Sequence, residues 1–329
     1  MNQTMEVVMK LNRILVPTDF SETSEEALKM AANFAELYGS TIDIMHVIPL
    51  MSYYQESMDH IGVPFDMDND IYPHAMENAN TKLQEAAKKF IPKEHRGQLI
   101  NMVGRKISQV IVHRAHSEGH DLILMTNRGS HGGKHARSHL TEQVIRYSEV
   151  PVLSIKTAFE PESVKSIMFP FDGSEDSLAA ILPAFEFGKK LGATITVMHV
   201  IEPYVFSLEV IPPIYEDNEE VYASLIKSMQ KYFEEHPELH MHIKRSGDSF
   251  EDSIVYEKDG ESHSVVFNTV VAKNFAAHAE ITSEAESIAD LVVMSTHGRT
   301  GVARIVLGST TGVVAQHLDK PLLTVHPGL

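Results

Sequence analysis

The residues with the clearest chemical potential run from Ser295 to Thr311: Ser-Thr-His-Gly298-Arg-Thr-Gly-Val-Ala-Arg-Ile-Val-Leu-Gly308-Ser309-Thr310-Thr311. Directly before them, Asp290-Leu-Val-Val-Met294 is a short apolar run of buried-strand type. After them, Val313, Val314, Ala315 and Leu318 recur at helical spacing. Strand, glycine-containing loop and helix in that order suit a bound phosphate. Gly298 permits a turn that residues with a Cβ resist, and Gly308 lets an anion approach the main chain. Ser309 or Thr310 is expected to cap the helix, whose unpaired N–H groups and positive dipole end favour negative charge. Such a loop lies at the carboxyl end of a strand, where open α/β sheets take their ligands. The plainer alternative is an ordinary glycine-containing connection.

Two other clusters invite a chemical reading. His131, His135 and His139 are spaced to stack three imidazoles on one helix face, as a Zn2+ site would want. Gly132-Gly133 opposes a helix there and no carboxylate joins the pattern, so a solvent-facing loop is the preferred reading, with no metal. Asp172-Gly173-Ser-Glu-Asp176-Ser177 resembles the S-G-G-x-D-S pyrophosphate loop of ATP pyrophosphatases, but Ser174 replaces one of its two adjacent glycines. There is no G-x-S-x-G elbow, no G-x4-G-K-[ST] loop and no G-x-G-x2-G fingerprint. No catalytic residues are assigned.

Composition limits what the loop can serve. At 329 residues the chain is long for one domain and comfortable for two. A hydrophobic content of 43% with 22% charged residues describes a globular protein. The absence of cysteine excludes disulfides, thiolate metal sites and cysteine catalysis. A formal charge of -17 argues against nucleic acid, whose backbone needs a basic face. It does not argue against a nucleotide, because charges are screened over about 8 Å at physiological salt. No apolar run reaches membrane-span length and Met1 to Lys10 lacks signal-peptide character, so a cytoplasmic protein with no membrane partner is expected.

The elements that must position the loop alternate. Arg13 to Val16 is a strand entering a turn at Asp19. A helix follows, with Ser24 as its expected N-cap, Ala27, Leu28, Ala31, Phe34, Ala35 and Tyr38 as its apolar face, and Gly39 as its stop. Thr41 to Ile48, Leu99 to Val103, Asp121 to Met125 and Val152 to Ile155 read as further strands. Helices are expected over about His74 to Phe90, Lys106 to Glu118 and Thr141 to Tyr147. Such alternation predicts a parallel sheet with helices on both faces.

The pattern then repeats. Ile167 to Ser174 answers Ile14 to Ser21, and Thr194-Ile-Thr-Val-Met-His199-Val200-Ile answers Thr41 to Ile48, both at an offset of 153; Gly298 answers Gly129 at 169. The halves are 1–157 and 164–329, joined by a linker around Pro161. The second carries about 25 extra residues, in which Asp259-Gly260 between β-prone runs predicts a β-hairpin insertion at about 239–264. Pro183 is expected to kink the first helix of this half or to mark a late start.

Gly298, nine intervening residues and then Gly308-Ser309 resemble the G-x2-G-x9-G-[ST] signature of the ATP-binding universal stress protein family, with Ser295 where its first glycine would stand. The resemblance covers nearly the whole chain as two tandem domains. It implies two doubly wound α/β domains, each a five-stranded parallel sheet of order 3-2-1-4-5. It also implies ATP or a related adenine nucleotide, with or without Mg2+, as a regulatory ligand of the second domain. The adenosine-contacting positions would be Asp172, with its neighbours Pro170 and Phe171, and Val200; the phosphate-contacting ones would be Gly298, Gly308, Ser309 and Thr310. Taken singly, Asp172 reads equally as a helix-capping aspartate and Val200 as a core valine. In the first half His139-Leu140 stand opposite Gly308-Ser309, so that site is expected to be degenerate. The alternatives are a nucleotide-free binding or scaffold protein of the same fold, and a slow ATPase or adenylating enzyme. The family's dimers further imply an intramolecular pseudo-dimer through the final strands, Val152 to Ile155 and Leu322 to Val325, with a homodimer as an additional possibility.

Overall fold

The computed structural model describes residues 11–50, 72–127, 139–202, 218–247, 251–297 and 307–327. The chain divides into two compact units, Lys10–Pro161 and Glu162–Leu329.

In the first unit, β1 (Arg13–Pro17), β2 (Thr41–Pro49), β3 (Arg96–Gly104), β4 (Leu122–Thr126) and β5 (Val152–Ile155) form a parallel sheet of order β3-β2-β1-β4-β5. Its helices are α1 (Glu22–Tyr38), α2 (Tyr72–Phe90), α3 (Ile107–Ser117) and α4 (His139–Tyr147). β1, β4 and β5 are almost wholly buried, as strands covered on both faces must be. α1 buries the expected Ala27, Leu28, Ala31, Phe34 and Ala35, leaves Tyr38 in its last turn only half-buried, and stops at Gly39, which takes a left-handed φ of 74°. Its N-cap is Ser21 rather than Ser24, because the Ser21 Oγ accepts the Ser24 N–H at 3.2 Å and so starts the helix three residues earlier.

The second unit repeats this order with β6 (Ser166–Pro170), β7 (Thr194–Ile201), β10 (Glu261–Lys273), β11 (Leu291–Ser295) and β12 (Leu322–Val325), arranged β10-β7-β6-β11-β12 in parallel. Two further strands, β8 (Met241–Lys244) and β9 (Glu251–Lys258), join antiparallel beyond β10. This sheet therefore has seven strands, where the sequence suggested five and a separate hairpin. The hairpin's second strand is itself the third parallel strand: β10 pairs with β9 through Glu261–Asn268 and with β7 through Phe267–Lys273. Asp259 and Gly260, at φ 53° and 86°, form the tight turn that the pair predicts.

The helices of this unit are α5 (Glu175–Leu178), α6 (Ile181–Leu191), α7 (Asn218–Glu235), α8 (Ala277–Ile288) and α9 (Ser309–His317). The segment equivalent to α1 is broken into α5 and α6, and Pro183 lies in the first turn of α6, where its missing N–H costs nothing. One face of the sheet is sealed by Met168, Met198, Val292 and Met294 packed with Ile281, Ala285, Val314 and Leu318 of α8, α9 and the residue after it. No helix among the described residues is long and apolar enough to cross a membrane.

Candidate functional site

The carboxyl ends of β6, β7 and β11 converge in the second unit with the start of α9. Buried Ser295 and Thr296 end β11. The Gly308 N–H donates to Thr296 O at 2.8 Å, and Thr311 Oγ1 donates to Ser295 O at 2.8 Å, so helix and strand are stapled together. Close approach favours glycine at 308: a Cβ would lie 3.3 Å from Thr296 O, a tight contact, and 3.9 Å from the His297 Cα. Gly308 is also the N-cap, with φ -53° and no side-chain cap. Ser309 and Thr310 are the first helical residues, not caps as the sequence suggested, because the glycine already supplies the extended capping conformation. An N-terminus without a side-chain cap keeps its dipole and N–H groups for an anion. The neighbouring α8 differs, since Glu202 Oε1 accepts the Ala277 N–H at 2.7 Å and fills that end with the chain's own carboxylate. Gly298 lies outside the described residues.

Asp172 follows β6 and is half-buried. Its Oδ1 accepts the Ser174 N–H at 2.9 Å and the Ser174 hydroxyl at 2.5 Å, and Ser174 Oγ accepts the Ser177 N–H at 3.2 Å. The carboxylate thus holds the N-cap of α5. Asp19 does the same for α1, accepting the Ser21 N–H at 3.1 Å and its hydroxyl at 2.5 Å. Pro170 ends β6 and is buried; the buried Phe171 ring packs on Phe169 at 5.6 Å, and the Phe171 N–H donates to Met198 O at 2.8 Å. His199 Nδ1–H donates to Phe171 O at 2.7 Å, as His46 does to Thr18 O at 2.8 Å, locking the ends of the first two strands of each unit together. Val200 pairs in register with Ala272, and both are half-buried against the core cluster under α8 and α9.

The units diverge one residue beyond each aspartate. Gly173 takes φ 85°, and a Cβ there would meet only Leu225 Cδ2 at 3.9 Å. The equivalent Phe20 adopts φ 62°, a conformation costly for a bulky side chain. Its ring sits 4.4 Å from the His46 ring, with Lys82 Nζ 5.5 Å from its centroid. The first unit therefore carries an aromatic ring against its second strand at the position where the second unit has glycine. The Gly173-for-Phe20 exchange is visible at offset 153, but the left-handed backbone that gives it meaning is not. Asn127 stands in the place of Thr296, each donating its N–H to the end of the neighbouring final strand, Ile155 O at 2.9 Å and Val325 O at 2.8 Å, and the buried Asn127 Oδ1 has no hydrogen-bond partner among the described residues. His131 and His135 lie outside the described residues; His139 begins α4, exposed, 3.7 Å from Glu142. Among the described residues no group of three or more His, Asp or Glu is arranged to hold a metal ion.

A model of the universal stress protein family matches residues 10–156 and 163–326. A universal stress protein of Mycolicibacterium smegmatis is 23% identical over 320 residues, covering 95% of this chain and 97% of that protein. Universal stress protein MJ0577 of Methanocaldococcus jannaschii is 32% identical over 156 residues, 44% of this chain and 94% of its own length. Among solved structures, a universal stress protein from Archaeoglobus fulgidus covers 98% of both chains at a TM-score of 0.57 and 18% identity, a likeness of fold.

Proposed function

The chain belongs to the universal stress protein family, matched once in each half, and from that membership we propose that its second unit binds ATP or a related adenine nucleotide as a regulatory ligand. Asp172 and the main chain of Pro170 and Phe171 receive the adenosine, Val200 lies beside the base, and Gly298, Gly308, Ser309 and Thr310 hold the phosphates, with Mg2+ as an accompanying ion. The observation that carries this reading is the α9 N-terminus, without a side-chain cap at Gly308, sharing one end of the sheet with Gly173, whose place is taken by Phe20 in the first unit. The first unit has Phe20 at the position of Gly173 and begins α4 at His139 where α9 begins at Ser309, since Thr141 bonds to Thr126 O as Thr311 does to Ser295 O. His139 thus stands opposite Ser309 rather than Gly308, whose counterpart lies outside the described residues. The role of the first unit in this reading is structural.

The test is direct. Protein purified without added nucleotide is denatured and the released small molecules are identified by mass spectrometry, and the emptied protein is titrated with ATP by calorimetry. Saturable adenine-nucleotide binding supports the proposal. No binding at millimolar ATP refutes it and leaves a nucleotide-free binding or scaffold role.

A further inference from the structure

His297 ends the β11 segment directly before the phosphate loop. Its Nδ1 pairs with Thr296 Oγ1 at 2.9 Å and its N–H donates to Ser295 Oγ at 3.2 Å, so the ring is held by its own strand end. The other ring nitrogen, Nε2, is shielded from solvent and meets no hydrogen-bond partner among the described residues. Leaving a shielded polar nitrogen without a partner is unfavourable, so its presence in the fold calls for a group that completes it. The His297 Cα lies 3.9 Å from the position of a Cβ on Gly308, beside the uncapped start of α9. The ring of His326, which follows β12, stands edge-on at 5.0 Å. Asp176 on α5 adds an opposing negative field.

We propose that His297 is the proton-carrying phosphate contact of this site, so that the nucleotide is bound together with a proton. The inference rests on the nucleotide reading given above. With the site empty, burial and then the neighbouring His326 hold the imidazole below its ordinary value, with Asp176 pulling weakly the other way. The ring is then neutral near pH 7.5. A phosphate oxygen reaching Nε2 reverses the balance, because a hydrogen bond between imidazolium and phosphate favours the charged form. The ligand prefers the protonated ring, so affinity rises as pH falls from 8 toward 6.5. For one linked proton the gain is limited to about tenfold per pH unit. The protonated ring also supplies positive charge inside a chain of net charge -17.

The experiment is ATP calorimetry on the full chain at pH 7.5, in two buffers of different ionisation enthalpy, which counts protons taken up on binding. Wild type is compared with His297→Asn, which removes the titratable ring and keeps a polar side chain, and with His326→Gln. The expected result is that wild type takes up a measurable fraction of a proton more than His297→Asn. His326→Gln should bind with reduced uptake, since its His297 is already more protonated when empty. Equal proton counts in wild type and His297→Asn, with binding retained in both, overturn the role of His297 and leave the nucleotide reading standing. Absence of ATP binding in wild type overturns both. If only His297→Asn fails to bind, histidine NMR of wild type decides: an upward shift of the His297 titration on adding ATP supports the proposal, and an unchanged titration overturns it.

Discussion

Gly308 and Gly173 each do what a side chain would prevent. Valine at Gly308 would push a branched side chain toward Thr296 O and the start of α9, and Gly308→Val should abolish ATP binding in calorimetry. A micromolar site corresponds to about 8 kcal/mol, so its loss would be unmistakable. Phenylalanine at Gly173 would reproduce the Phe20 ring, and Gly173→Phe should likewise remove ATP binding while leaving the fold intact. Retained affinity in that variant would show that the space beside Gly173 is not where the base sits. The aspartates need a finer test, because Asp172 and Asp19 hold their serine caps in the same way. Either substitution to alanine removes a cap network and should cost roughly 1 kcal/mol of stability. Only Asp172→Ala should also weaken ATP binding, which separates the ligand role from the capping role.

At the level of elements, the two-strand extension of the second sheet is tied to α7 by one buried acid. Asp252 on β9 accepts a short hydrogen bond from the Tyr222 hydroxyl of α7, pairs with Arg245 Nε at 3.1 Å and accepts the Ser246 N–H at 2.9 Å. Burial, followed by the bond to Asp252, pushes the Tyr222 hydroxyl up to about 12, so it remains a donor throughout the working pH range. Asp252→Ala would orphan a buried phenol and a main-chain N–H, a loss of roughly 2–4 kcal/mol that a denaturant melt should register. In the first unit, Asp43 ties the amino ends of four strands together: Arg13 Nη2 lies at 2.6 Å, His120 Nε2 at 3.0 Å and the Gln98 N–H at 2.7 Å. Burial alone would raise this carboxyl, but the bonds from His120, Gln98 and Arg13 hold it below its ordinary value. A depressed carboxyl contributes stability that is present above its unfolded pKa of about 3.9 and is lost as pH falls through the folded value. Asp43→Asn should therefore be less stable than wild type at pH 7 and should lose less stability between pH 5 and pH 2, as read from melts across that range.

For the molecule as a whole, a duplicated chain with Phe20 in one unit and Gly173 in the other should bind about one ATP per chain. ATP at a hundredfold excess over its dissociation constant should stabilise the native state by about 2.7 kcal/mol, raising the melting temperature of the unit that binds it. If the two units melt separately in a calorimetric scan, only the second transition should move with ATP. A stoichiometry of two would mean that Phe20 yields to ligand.

The alternation of apolar strands with amphipathic helices, and its recurrence at offset 153, determined the fold class and the duplication, because hydrophobic period and chain connectivity are local properties of the sequence. The strand order was implied only by the family resemblance. The stop at Gly39, the turn at Asp259-Gly260 and the effect of Pro183 were equally legible, since each is a conformational limit of one or two residues. What the sequence left open is what depends on distant partners. The hairpin looked like an insertion because nothing local says that Phe267–Lys273 would also pair with β7. Ser309 and Thr310 looked like caps because the extended backbone of Gly308 is fixed by its bond to Thr296. The Phe20 ring against His46 and the shielded Nε2 of His297 are decided by which side chains tertiary packing brings to the same end of each sheet.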